Sequence, residues 1–195
     1  MTDTSDFRVP GYLRSAHLQT ILNSQGPRKW RARRILQSFE SKALELIAAD
    51  GTRLLAELDY GVDSDRSALV VLLHGWEGSS RSSYLITTAA RLLAQGFDVL
   101  RINLRDHGDS HHLNRELFNS TRSPEVASAL QGFVDARDYR NLFLVGFSLG
   151  GSFALRMAAD AGVELGLSGC VAVCPPVDPA HAMDALNSGF FVYEK

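Results

Sequence analysis

Cysteine is scarce in this chain, with two thiols, Cys170 and Cys174, in 195 residues. Their spacing is neither that of a zinc site nor that of a redox pair, and they sit in or just after an apolar run. They therefore read as core residues in a reducing compartment. Charge of one sign is lacking too. Twenty Lys and Arg against 22 Asp and Glu leave a net charge of −2, which gives no overall pull toward nucleic acid or an anionic membrane. No apolar run approaches the ~18 residues of a membrane span. The opening MTDTSDFRVPGYL has neither the basic start nor the apolar stretch of a secretory signal. Internal repeats, low-complexity tracts and an HExxH pair are absent as well. These absences predict a cytoplasmic globular protein, and the length suits one domain with a sizeable core.

What is present is alternation. Residues 1–40 are mixed and interrupted by Pro10, Gly11, Gly26 and Pro27, and read as an N-terminal extension packing on the core. Within them RKWRARR gathers Arg28, Lys29, Arg31, Arg33 and Arg34 around Trp30. It reads as a solvated surface segment, with a nucleic-acid or phospholipid contact as the alternative. From residue 44, LELIAADGTRLLAELDY places two strand-like runs around Asp50-Gly51, a β-hairpin signal. ALVVLLHG and FDVLRINL read as buried strands, NLFLVGF as a strand and SGCVAVCPP as a last strand. Between them SSYLITTAARLLAQG has helical spacing, Ser123-Pro124-Glu125 opens a helix with Ser123 as its cap, and LGGSFALRMAAD follows as another helix. Strands alternating with helices predict an α/β fold, a mostly parallel sheet with helices on both faces.

Three clusters carry chemistry. Gly146-Phe147-Ser148-Leu149-Gly150 fits G-x-S-x-G between a strand and a helix, the context that motif requires. A turn this tight strains the backbone at the serine, and glycines on either side remove clashes with the neighbouring strand and helix. The following helix aims its unpaired N–H groups at the same point, so the Leu149 amide can stabilise an oxyanion. His74-Gly75 ends a second strand, where a loop can lend another amide, and Trp76 is the candidate donor through its main chain. His74 itself reads as a residue that holds the loop by hydrogen bonds. The third cluster, Asp106, His107, Asp109, His111 and His112, lacks a specific metal spacing and reads as a hydrogen-bonded rim loop.

With these clusters in hand, the chain resembles the α/β-hydrolase superfamily. LLHG, RINLRDHGDS and GFSLGG resemble its oxyanion segment, its D-x-R-G-H-G-x-S loop and its nucleophile elbow, in the usual order. The middle one departs, with Asn103 where Asp is common and Asp106 where Gly is common. GYLRSAHLQTIL, HGWEGSSRSSY and NRELFNST are similar to the YheT-like branch of predicted hydrolases, which groups with esterases and acylglycerol lipases. The resemblance covers residues 8–195. It implies a serine hydrolase cleaving small-molecule or lipid-like carboxylic esters through an acyl-enzyme, without metal or cofactor. It assigns Ser148 as nucleophile, with Trp76 and Leu149 as oxyanion donors.

In that superfamily an acid and then a histidine follow the serine. Here one strand follows the nucleophile helix. Asp178 and His181 come after it, too close together in sequence for both to swing to Ser148. The expectation is therefore an N-terminal portion of the fold: residues 41–178 as core, 179–195 as the start of a cap, the last strands missing, and a sheet edge open to self-association. The rival readings are a catalytically silent binding module and an acyltransferase of the same fold.

Overall fold

The computed structural model describes residues 8–15, 18–19 and 27–187. The apolar runs form a six-stranded sheet of β1 (Lys42–Ile47), β2 (Arg53–Asp59), β3 (Ala68–Leu73), β4 (Asp98–Ile102), β5 (Asn141–Phe147) and β6 (Leu167–Val173). Their spatial order is β1-β2-β4-β3-β5-β6. The first two strands pair antiparallel from Lys42↔Leu58 to Ile47↔Arg53. Their hairpin closes through Asp50, which accepts the Thr52 N–H at 2.9 Å, and Gly51 at φ 85°. Strand β2 also runs antiparallel to β4, and every later pairing is parallel.

Side chains alternate across a strand, so β3 feeds two cores at once. Leu69, Val71 and Leu73 point to one face, where α3 (Ser123–Asp135) and α4 (Leu149–Ala161) bury Leu130, Phe133, Phe153 and Met157 against them. Val70 and Leu72 point to the other, against Leu85, Ala89 and Leu93 of α2 (Ser83–Leu93). Helices thus cover both faces. Truncating any of these fully buried leucines to alanine removes about 2–5 kcal/mol. Outside α2 lies α1 (Pro27–Leu36), which packs on it and buries Ala32. Helix α5 (Pro179–Asn187) follows β6.

Two expectations are corrected. Strand β6 pairs with β5 alone among the described residues and stands at the open edge of the sheet. Val171 and Val173 are consequently exposed. Cys170 is half-buried and Cys174 is exposed, so Cys174 is not a core residue. Ser123 is the first helical residue and not the cap. Arg122 holds the cap position without a side-chain bond, because a guanidinium has no acceptor to offer the first-turn N–H groups.

The connections set the place of the site. From β3 the chain crosses to β4 on one side, while from β5 it crosses to β6 on the other. The crevice of such a sheet lies at the carboxyl ends of the two strands where the winding reverses, here β3 and β5. The clusters at His74 and at Ser148 follow those two strands directly. The cap expected over residues 179–195 lies partly outside the described residues.

Candidate active site

Ser148 is the single residue between β5 and α4. Its backbone stands at φ 50° and ψ −120°, a conformation that costs a non-glycine residue about 1–3 kcal/mol and needs surrounding structure to hold it. The holding groups are specific. The Ser148 N–H donates to Val173 O at 2.8 Å, and the Ser148 carbonyl accepts the Gly151 N–H at 2.8 Å and the Ser152 N–H at 3.2 Å. A Cβ on Gly146 would stand 2.1 Å from Gly150 O, and one on Gly150 would stand 2.4 Å from His74 O. Both glycines are therefore required by close backbone approach. The Ser148 side chain is exposed at the sheet end. Behind it Leu149 opens α4, and the amides of a first helical turn have no partner within the helix.

The loop after β3 lies against this serine. A Cβ on Gly75 would meet Ser148 Cβ at 3.2 Å and Phe147 O at 3.3 Å. The Gly75 N–H is already used, donating to the Tyr84 hydroxyl at 2.9 Å. Trp76 is the next amide along the loop, and the chain then turns through Glu77 at φ 55° into the Gly78 N–H to Gly75 O bond of 3.0 Å. Trp76 is 56% exposed.

His74 is wholly buried. Its Nε2 accepts the Leu104 N–H at 3.1 Å, which leaves Nδ1 as the protonated nitrogen, donating to Gly75 O at 2.7 Å. Burial pushes its pKa down to about 4, so the ring is neutral at pH 7. Both nitrogens are engaged in holding the loop, as the sequence suggested.

Two groups that sequence reasoning passed over hold the same loop. Arg101 of β4 is fully buried and donates to Ser80 O at 2.7 Å. It pairs with Asp59 and Glu57 of β2, each at 2.8 Å. Tyr84, already seen at Gly75, is the other. An arginine inside the apolar strand FDVLRINL was the available signal, because a buried guanidinium demands carboxylates, and AELDY supplies two. Asn103 accepts the Ser80 N–H through Oδ1 at 2.7 Å. Its amide oxygen fills the acceptor position that the more common Asp would fill.

The rim loop divides in two. His107 is buried, with Nδ1 donating to Arg105 O at 2.8 Å and the ring 5.0 Å from His74. Asp106 stands at φ 61°, which explains why glycine suits this position, and its carboxylate meets His111 Nδ1 at 2.7 Å. Trp76, Glu77, Asp106, His107, His111 and Phe118 line a cavity of about 420 Å³. Among the described residues no group of three His, Cys, Asp or Glu side chains is placed to hold a metal ion. The Asp178 carboxylate caps α5, accepting the His181 backbone N–H at 3.0 Å, and His181 itself is exposed. The arrangement brings together an exposed hydroxyl, a helix N-terminus and the Gly75 loop, groups of the kind that acyl transfer uses.

A family model described as the alpha/beta hydrolase fold matches residues 68–191. Embryogenesis-associated protein EMB8 of Picea glauca is 25% identical over 143 residues, 72% of this chain and 31% of that protein. The esterase Pf2001 of Pyrococcus furiosus superposes with a TM-score of 0.67 at 22% identity, covering 82% of this chain and 59% of that one. XC6422 of Xanthomonas campestris, an α/β serine hydrolase without a lid, gives 0.60 at 24% identity over 72% and 63%. The chain thus spans less than a third of that curated relative and about three-fifths of those two structures.

Proposed function

Because this chain belongs to the α/β-hydrolase fold family, we propose that it is a serine hydrolase cleaving carboxylic esters through an acyl-enzyme on Ser148. The observation that carries the reading is the Ser148 backbone at φ 50°, ψ −120°, held against the Gly75 loop at the sheet's reversal point. A structure stores strain of this kind where it presents a reacting group. Ser148 Oγ adds to the ester carbonyl, and the Trp76 and Leu149 amides hold the oxyanion. The alcohol leaves with the serine proton, and water then releases the acid. The esterase and serine hydrolase among the similar structures support this chemistry.

A histidine must reach Ser148 Oγ within ~2.6–3.2 Å to take that proton. His74 does not serve, since both its nitrogens are bound elsewhere. The finer reading is YheT-like kinship and substrates of the simple-ester or acylglycerol kind, in a cytoplasmic protein. HGWEGSSRSSY supports the kinship, since this segment carries Gly75, Trp76 and the Tyr84 that holds them.

Steady-state hydrolysis of p-nitrophenyl esters of increasing acyl length, with Ser148→Ala as control, tests the proposal. Turnover lost in the variant is the expected result. Turnover unchanged in the variant overturns it, and a folded wild-type protein without turnover favours the silent binding module. Faster acyl transfer to added alcohol than to water selects the acyltransferase.

A further inference from the structure

Helix α1 is left unused by ester chemistry. Its ten residues, PRKWRARRIL, hold five of the chain's 20 Lys and Arg and no acid. The faces are sharply divided. Ala32 is buried, and Arg28, Arg31 and Ile35 turn toward α2. Lys29, Trp30, Arg33 and Arg34 face out. Trp30 is 61% exposed, and the Arg34 guanidinium lies 4.3 Å from its ring centroid. Between α1 and α2 lies a recess of about 410 Å³, lined by Arg28, Arg31, Arg91, Ser83, Tyr84 and Thr87.

We propose that α1 docks this protein on an anionic lipid surface through its outward face, with Lys29, Arg33 and Arg34 against headgroup phosphates and Trp30 at headgroup level. Like charges three and four residues apart repel along a helix, as Lys29 does Arg33 and Arg31 does Arg34. An anionic surface turns that repulsion into attraction. Basic residues near an anionic membrane surface attract it by about 1 kcal/mol each, and tryptophan is favoured at the headgroup level. A nucleic-acid strand is the poorer fit, because it requires successive aromatic platforms along a groove, and α1 offers one ring on one short helix. The helix is also an outer layer, packed on α2, where a flat surface reaches it first.

The docking does not depend on ester hydrolysis, and its test needs no turnover. The full chain and its Ser148→Ala variant are sedimented with phosphatidylcholine vesicles, with and without phosphatidylglycerol, at low and high salt. Binding confined to the phosphatidylglycerol vesicles, lost at high salt and equal in the two proteins, is expected. Arg33→Gln with Arg34→Gln should weaken it about 30-fold, and Trp30→Ala should weaken it further. Arg140→Gln, a surface charge remote from α1, should not change it. Equal binding to neutral vesicles, insensitivity to the α1 substitutions, or no vesicle binding by folded protein overturns the proposal. So does tighter binding to single-stranded DNA, or saturation by glycerol phosphate without vesicle binding.

Discussion

Acidification should expose the role of His74 directly. The ring is wholly buried, donates to Gly75 O and accepts from Leu104 N–H. A second proton would set a donor against the Leu104 donor and place a charge 5.0 Å from the His107 ring. Burial first, and His107 in addition, hold the folded pKa at about 4, whereas an unfolded histidine titrates near 6.5. Between those values the unfolded chain takes up a proton that the folded chain refuses. The stabilisation is therefore complete above pH 6.5 and drains away as pH falls toward 4. Over ~2.5 pH units at ~1.4 kcal/mol each, the loss is about 3 kcal/mol. Urea unfolding from pH 7 to pH 4, on the wild type and His74→Gln, reads it out. Glutamine can still accept the Leu104 N–H but does not titrate. Carboxylates held low by their partners, such as Glu45, Asp50 and Asp65, titrate in both proteins and cancel. The stability gap between the two proteins should shrink by about 3 kcal/mol toward pH 4. Parallel curves, or a gap that widens, would refute the assignment of His74 as a neutral ring that holds the loop by both nitrogens.

Other perturbations follow from the same geometry. Gly146→Ala drives a Cβ to 2.1 Å from Gly150 O and should cost about 3 kcal/mol in urea unfolding. Gly151→Ala, whose nearest neighbours stand at 3.2 Å, should cost far less, and equal losses would contradict the close-approach account. Arg101→Met leaves Asp59 buried without its cation and Glu57 with Arg81 alone, and should cost about 3–5 kcal/mol. Replacing all three by apolar residues should recover most of that loss, and no recovery would show that the arginine acts otherwise. Alkylation of the native protein should modify exposed Cys174 before Cys170, whose thiol burial pushes up, with peptide mass spectrometry as the readout. The reverse order would contradict the edge placement of β6.

The alternation of apolar runs with helical periods was enough to place the hairpin, the parallel strands and the helices of both faces. Those patterns record what each residue buries, and burial is what the sheet imposes. The motif at Ser148 was legible because the glycines are dictated by local backbone approach. An apolar run such as SGCVAVC does not show which of its residues stay exposed where a single neighbour pairs with it. Cys174 was misplaced for that reason. Arg101 and Tyr84 were missed because their partners are distant in sequence: Ser80 and Asp59 for the arginine, Gly75 for the tyrosine. The pairing of Asp106 with His111 likewise depends on the fold of a loop, which residue spacing alone does not convey.

The central claim is that Ser148 is an activated nucleophile beside two oxyanion amides. Labelling of the folded 195-residue protein with a fluorophosphonate probe, followed by peptide mass spectrometry to locate the adduct, tests it most directly. The account predicts a single adduct on Ser148 and none in Ser148→Ala. A folded protein that takes no label, or one whose labelling survives the substitution, would contradict it.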